Sequence, residues 1–297
     1  MEKYQNIAAL FLVAAGCSAI LASGCGQSVS QKQTDGKESV IEPATQSTEE
    51  ENPKNKEENE TIDFANASSN FLIDRADKAL RKNDLELAQA AIAEVRSRNN
   101  VGLGGKMEIA RILFGAGKMK GSAQVYDEVL KMRPDLKEQL WQRGLALYYA
   151  EEFEKGVDQF DTHQTYNSQD VENSVWQLLC QSRLTSVEEA RKSMIPIDSD
   201  PRIPMKQVFD MFAGSGSPKE VIAASGYDKD NIVRNFSTYH GWLYVGLFHE
   251  MMGDQAASIE AMKTALKCQP VIAGLMGNVA EGHLRARNAY PSEKDPQ

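Results

Sequence analysis

The chain has 297 residues, and its 33 Lys and Arg against 42 Asp and Glu give a formal net charge of −9. That balance provides no basic stripe along which a nucleic-acid backbone could lie, and is otherwise a statement about solubility. About a fifth of the length, at the N-terminus, has the composition of a targeting and linking segment, and what remains is long enough for one continuous folded array.

Residues 1–24 read as a lipoprotein-type signal peptide. Lys3 and the α-amine precede an apolar run from Ile7 to Ala22, and the small residues Ala22-Ser23-Gly24 lead into Cys25. This order resembles a bacterial lipobox. The resemblance implies that Cys25 carries thioether-linked lipid with acyl chains such as palmitate, and that the chain is exported to a cell-envelope membrane with its domain facing the periplasm. Ala14-Ala15-Gly16-Cys17 is a second match, but the polar run GQSVSQKQ follows Cys25 directly, whereas Cys17 is followed by more apolar sequence. A plain secretory peptide and an uncleaved anchor stay open, the 16-residue run being near the lower limit for a bilayer span.

Residues 25–66 read as a disordered acidic tether. Between Gly26 and Glu60 there are nine acidic residues, four Lys and no aromatic, too little apolar surface to offset the entropy of ordering. Roughly 40 flexible residues reach about 35 Å on average, which suits a spacer; a solvated tail of no particular purpose fits the composition equally well.

From 67 to 290 the sequence repeats with a step of 34. The segment Tyr239 to Ile272 is the clearest unit, with Trp242, Gly246, Gly253-Asp254, Ala265 and Pro270 at the large, small, turn and stop positions of a helix–turn–helix pair, and the same grammar recurs from 205, 171, 137, 103 and 69. The position where the second helix meets the first is small in every unit: Ala88, Ser122, Gly156, Ala190, Ala224, Ser258. Four residues on, a larger side chain points inward at Ile92, Tyr126, Phe160, Met194 and Met262, with Asp228 the exception. The small site of the first helix reads Ala76, Ala110, Gly144 and Gly246, but Leu178 and Phe212 in units four and five. Asn83-Asp84, Gly117-Lys118 and Gly253-Asp254 supply turns, Pro134 and Pro270 supply stops, and Ser217-Pro218-Lys219-Glu220 is a capping box. Pro196, Pro201 and Pro204 mark an irregular junction before a degenerate fifth unit. Residues 273–290 read as a closing helix that covers the last repeat, and 291–297 as a loose tail. The expected fold is all-α: a right-handed tetratricopeptide-repeat solenoid of about six helix pairs plus that closing helix.

Within this array, Arg143-Gly144-Leu145-Ala146-Leu147-Tyr148-Tyr149, the Phe160 helix, Trp176 and the unit at 239–272 occur in an order that resembles the new lipoprotein I type of envelope tetratricopeptide lipoprotein and related chloroplast repeat proteins, over roughly 137–272. The resemblance implies a membrane-anchored homodimer acting as an adaptor that brings murein hydrolases and a protease together. The long acidic tether departs from that pattern.

No catalytic signature stands out. The four histidines, His163, His240, His249 and His283, fall in no metal-binding spacing, there is no phosphate loop or nucleophile elbow, and no cofactor or metal is expected. Beyond the signal, Cys180 and Cys268 read as buried, unpaired residues. Binding is the better expectation. In such repeats the first helices line a concave groove, which here gathers Met107, Arg111, Phe114, Trp141, Leu145, Tyr148, Tyr149, His240, Leu243 and Leu247. Aromatic rings give contact area with few rotors to freeze. Whether Tyr148 and Tyr149 face a partner or pack internally is left open by the sequence. The expected function is a non-catalytic adaptor for protein or peptide partners in the envelope, the alternatives being a self-associating structural protein or an enzyme with an unrecognised site near His240 and His249.

Overall fold

A computed structural model describes residues 63–98, 100–270 and 274–291. The signal peptide, Cys25 and most of the tether range lie outside the described residues, within a unit spanning 1–62; the compact unit spans 63–297. Asp63 to Asn66 form a turn, and Arg98 donates to the carbonyls of Phe64 and Ala67 at 2.6 and 2.5 Å, holding the entry to the first helix.

The described residues fold into six helical hairpins and a closing helix: α1 (Ser69–Arg81) with α2 (Leu85–Ser97), α3 (Leu103–Gly115) with α4 (Met119–Met132), α5 (Trp141–Tyr149) with α6 (Phe153–Gln164), α7 (Val171–Leu184) with α8 (Val187–Lys192), α9 (Met205–Ala213) with α10 (Pro218–Ser225), α11 (Phe236–Met251) with α12 (Gln255–Cys268), then α13 (Val279–Ala286). This is the tetratricopeptide-type helical solenoid expected. None of the described helices is long and apolar enough to cross a membrane.

The 34-residue step is written into the backbone. Asn83, Gly117, Glu151 and Gly253 all adopt positive φ, between 58 and 83°, and each is followed by the N-cap of the second helix. Asp84 and Asp254 accept hydrogen bonds there from Leu87 and Ala257, each at 3.0 Å. The small positions do what their size suggests. A Cβ on Gly144 would come within 2.4 Å of the Phe160 ring, so α5 and α6 can approach only because residue 144 has no side chain.

Unit five departs from its column. Its buried small residue is Ser225, not Ala224, and Asp228 lies exposed beyond the end of α10. The short helices α8, α9 and α10 explain this: with few turns on which to keep register, the segment 193–204 and the loop after Gly226 reset it. Met194 likewise falls beyond α8 and is only half buried. Cys180 and Cys268 are free and buried.

One expectation fails in an informative way. A solenoid's units touch only their neighbours, yet here the end of the array returns to its beginning. Helix α13 packs on α12 and also on α3. Gly282 sits against Phe114, where a Cβ would meet the ring and the backbone carbonyl at 2.9 Å. Arg285 donates to the Gly115 carbonyl at 2.5 Å and to Asn83 Oδ1 at 2.9 Å. Helix α11 is therefore enclosed, with eleven of its sixteen residues buried.

Candidate functional site

The residues expected to floor a groove are brought together, but most of them form an interior. Phe114, Leu145, Tyr148, Tyr149, His240, Leu243 and Leu247 are buried. Tyr149 stands edge-on to Phe114, Tyr148 and Trp176, with ring centroids 5.5, 5.1 and 6.1 Å away, and Tyr148 meets Trp176 at 5.6 Å. The open question about these two tyrosines is thus answered by packing. The surface they would have offered is covered by α11 and α13, which sequence periodicity could not place opposite α5. Arg111 is tied to Asp77, Glu108 and Asn278, the last of these just before α13. Met107 is half buried.

Under the two tyrosines lies a buried ionic network that the sequence reading missed. The Tyr148 hydroxyl donates to Glu250 Oε1 at 2.7 Å, and Arg287 grips the same carboxylate with Nη2 at 2.8 Å and Nε at 3.1 Å. His283 Nε2 lies 3.3 Å from Glu250 Oε2, and its Nδ1 lies 2.9 Å from the Tyr149 hydroxyl. Nε2 also lies 3.3 Å from Ser258 Oγ; a proton on Nε2 faces that hydroxyl and the carboxylate and leaves Nδ1 to accept from Tyr149. Burial drives the His283 pKa down to about 4, against the pull of Glu250. The Glu250 carboxyl is itself held below its ordinary value: Arg287, His283 and Tyr148 outweigh the burial that opposes them. A lone glutamate in the apolar helix α11 was the available signal. Because all its partners lie within the chain, the network reads as a clamp joining α5, α11 and α13.

His240 and His249 do not form a site. His240 is stacked on Phe236 at 3.7 Å, donates from Nδ1 to that residue's carbonyl, and is kept neutral by burial; His249 lies half buried further along α11.

One cleft that stays open, of about 220 Å³, is walled by Trp141 and Leu145 of α5, Phe160 and His163 of α6, Asp170, Glu172, Asn173 and Trp176 at the start of α7, and Arg202 and Met276. Trp141 and Leu145 are the two groove candidates that line it. The irregular junction contributes its charge: Arg202 reaches Asp170 and Glu172 at 2.5 Å and Asp200 at 2.6 Å. Glu172 also accepts from the Tyr244 hydroxyl at 2.7 Å. Burial and the neighbouring Glu172 push the Asp170 carboxyl up, against Arg202. Residues so far apart in sequence, in a proline-rich segment, carried no motif that could have assembled them.

No protein-family model matches the chain, and no curated protein matches it. Among solved structures, a tetratricopeptide repeat protein from Parabacteroides merdae ATCC 43184 is similar at 16% identity, with 74% of this chain and 90% of that one covered and a TM-score of 0.39. MamA is similar at 12% identity over 67% of this chain and 91% of its own, with a TM-score of 0.37, and a further MamA structure, MSR-1 C2, at 11% identity over 66% and 94%, with a TM-score of 0.35.

Proposed function

We propose that the protein is a non-catalytic adaptor of the bacterial cell envelope, exported and held to a membrane by lipid on Cys25, which binds protein partners through the inner face of its helical array. The observation that carries this reading is the cleft left open at Trp141, beside groove candidates that α11 and α13 otherwise cover. Helical-hairpin arrays present such faces to other chains, and a half-buried indole beside fixed polar groups is the usual make-up of an interface anchor. The lipobox resemblance at Cys25 and the likeness to the new lipoprotein I type of lipoprotein support the envelope setting.

The test is a photo-crosslinking residue at position 141 in the full chain, expressed in its own host, with position 131 on an exposed part of α4 as control. The adaptor reading expects adducts with another protein from 141 and not from 131, and loss of membrane attachment in Cys25→Ser. Adducts at neither position, or equally at both, would refute the inner-face reading. A wild-type mass without lipid would refute the anchor.

A further inference from the structure

The cleft at Trp141 is walled by negative charge that its own residues do not balance. Asp170 and Glu172 line it beside the Arg202 guanidinium, which also pairs with Asp200 outside the lining; the three carboxylate side chains are 15, 16 and 2% exposed. The nearest other basic group, His240, lies 3.7 Å from Glu172 and is neutral through burial. Three carboxylates against one cation leave an excess of negative charge in a poorly solvated place, where buried charges ordinarily have partners.

Unspent hydrogen-bonding capacity lies in the same wall. Asn173, 3% exposed, donates both amide hydrogens, one to the Phe160 carbonyl at 3.2 Å and one to Gln164 Oε1 at 2.9 Å, which fixes its Oδ1 as an acceptor with no partner. His163 Nδ1 lies 2.7 Å from the Glu138 carbonyl and donates to it, which aims the ring's other edge away from that bond. Trp141, half buried, offers an aromatic face for a cation. The cleft, about 220 Å³, has room for a side-chain head and its stem. Acceptors, excess negative charge and an indole together select a donor-rich, planar cation on an alkyl stem. A guanidinium, with five donors in a fixed fork, matches this set better than a compact ammonium.

We infer that this cleft is a socket for a guanidinium group, presented as an arginine side chain by the protein partner; the inference rests on the adaptor reading for the source of that arginine. The test titrates N-acetyl-arginine amide into the full chain, following tryptophan fluorescence, with N-acetyl-citrulline amide as the uncharged isostere. Saturable binding of the arginine compound is expected, at least about tenfold tighter than citrulline. Asp170→Asn, which keeps an N-cap acceptor for α7, should weaken it by about tenfold with unchanged melting, and Trp141→Leu at the rim should weaken it too. No saturation up to tens of millimolar, or equal binding of citrulline, would overturn the socket. A partner crosslinked at position 141 without arginine binding would sink the socket alone. Arginine binding with no protein adduct would sink the adaptor reading alone and leave a site for a free guanidinium compound.

Discussion

Removing the Tyr148 side chain separates an interior from a binding surface. The ring is 2% exposed, meets Tyr149 and Trp176 edge-on, and ends in a hydroxyl 2.7 Å from Glu250. Truncating a buried ring of this size to alanine destabilises by about 3–5 kcal/mol. For a folded unit of this length each kcal/mol lowers Tm by about 2–4 °C, so Tyr148→Ala should melt roughly 6–20 °C below the parent. Tyr148→Phe keeps the ring and removes only the hydrogen bond to a charged acceptor, about 1.5–3 kcal/mol, hence roughly 3–12 °C. Thermal denaturation followed by circular dichroism on the parent and both variants reads these shifts. If Tyr148→Ala melted within about 2 °C of the parent, the ring would be contributing nothing to the core. The interior reading would then be wrong, and the tyrosine would return to being a surface for partners.

Three further outcomes follow from geometry. Between pH 6.5 and about 4 the unfolded chain protonates His283 while the folded one does not, so this stabilisation is complete above pH 6.5 and is lost as pH falls to about 4, a change of about 3 kcal/mol. Glu250, held below its usual range, adds to the loss at the acid end; urea denaturation across this range should show the fall, and His283→Gln should flatten it above pH 4.5. Gly156→Ala would place a Cβ 2.6 Å from Cys180 Sγ, destabilising by about 1–3 kcal/mol; adding Cys180→Ala should recover part of that in a double-mutant cycle, and strict additivity would refute the clash. Glu151 holds φ of 65° where its equivalents at 117 and 253 are glycine, so Glu151→Gly should raise stability by about 0.5–1 kcal/mol, read as a higher denaturation midpoint.

The repeat was legible because its physics is local. Ala88, Ser122, Gly156, Ala190 and Ser258 must be small for two adjacent helices to meet, and Asp84 and Asp254 must cap the helix that follows them. The register of unit five was not legible, since α8 and α10 are only six and eight residues long and a periodic pattern needs more turns to declare itself. The aromatic face at Tyr148 and Tyr149 was visible as a face, but its occupant arrives more than 100 residues later in the sequence as Glu250 and His283. Nothing near position 148 encodes that. The cleft was half visible: Trp141 and Leu145 followed from repeat position, whereas the Asp170, Glu172 and Arg202 cluster depends on how a proline-rich junction folds back.

The contact of α13 with α3 also shapes how this chain reaches its fold. A linear array can zip from any point and fray from either end, each hairpin gaining most of its stability from the next. Here Arg285 must find Asn83 and Gly115, 202 and 170 residues away, before Phe114 and Tyr149 are sealed from water. Such distant pairings raise contact order and slow folding. During synthesis the aromatic face of α3 and α5 is made early and stays uncovered until α11 and α13 have emerged, so a chain without α13 loses the lid of its core rather than one link of a series.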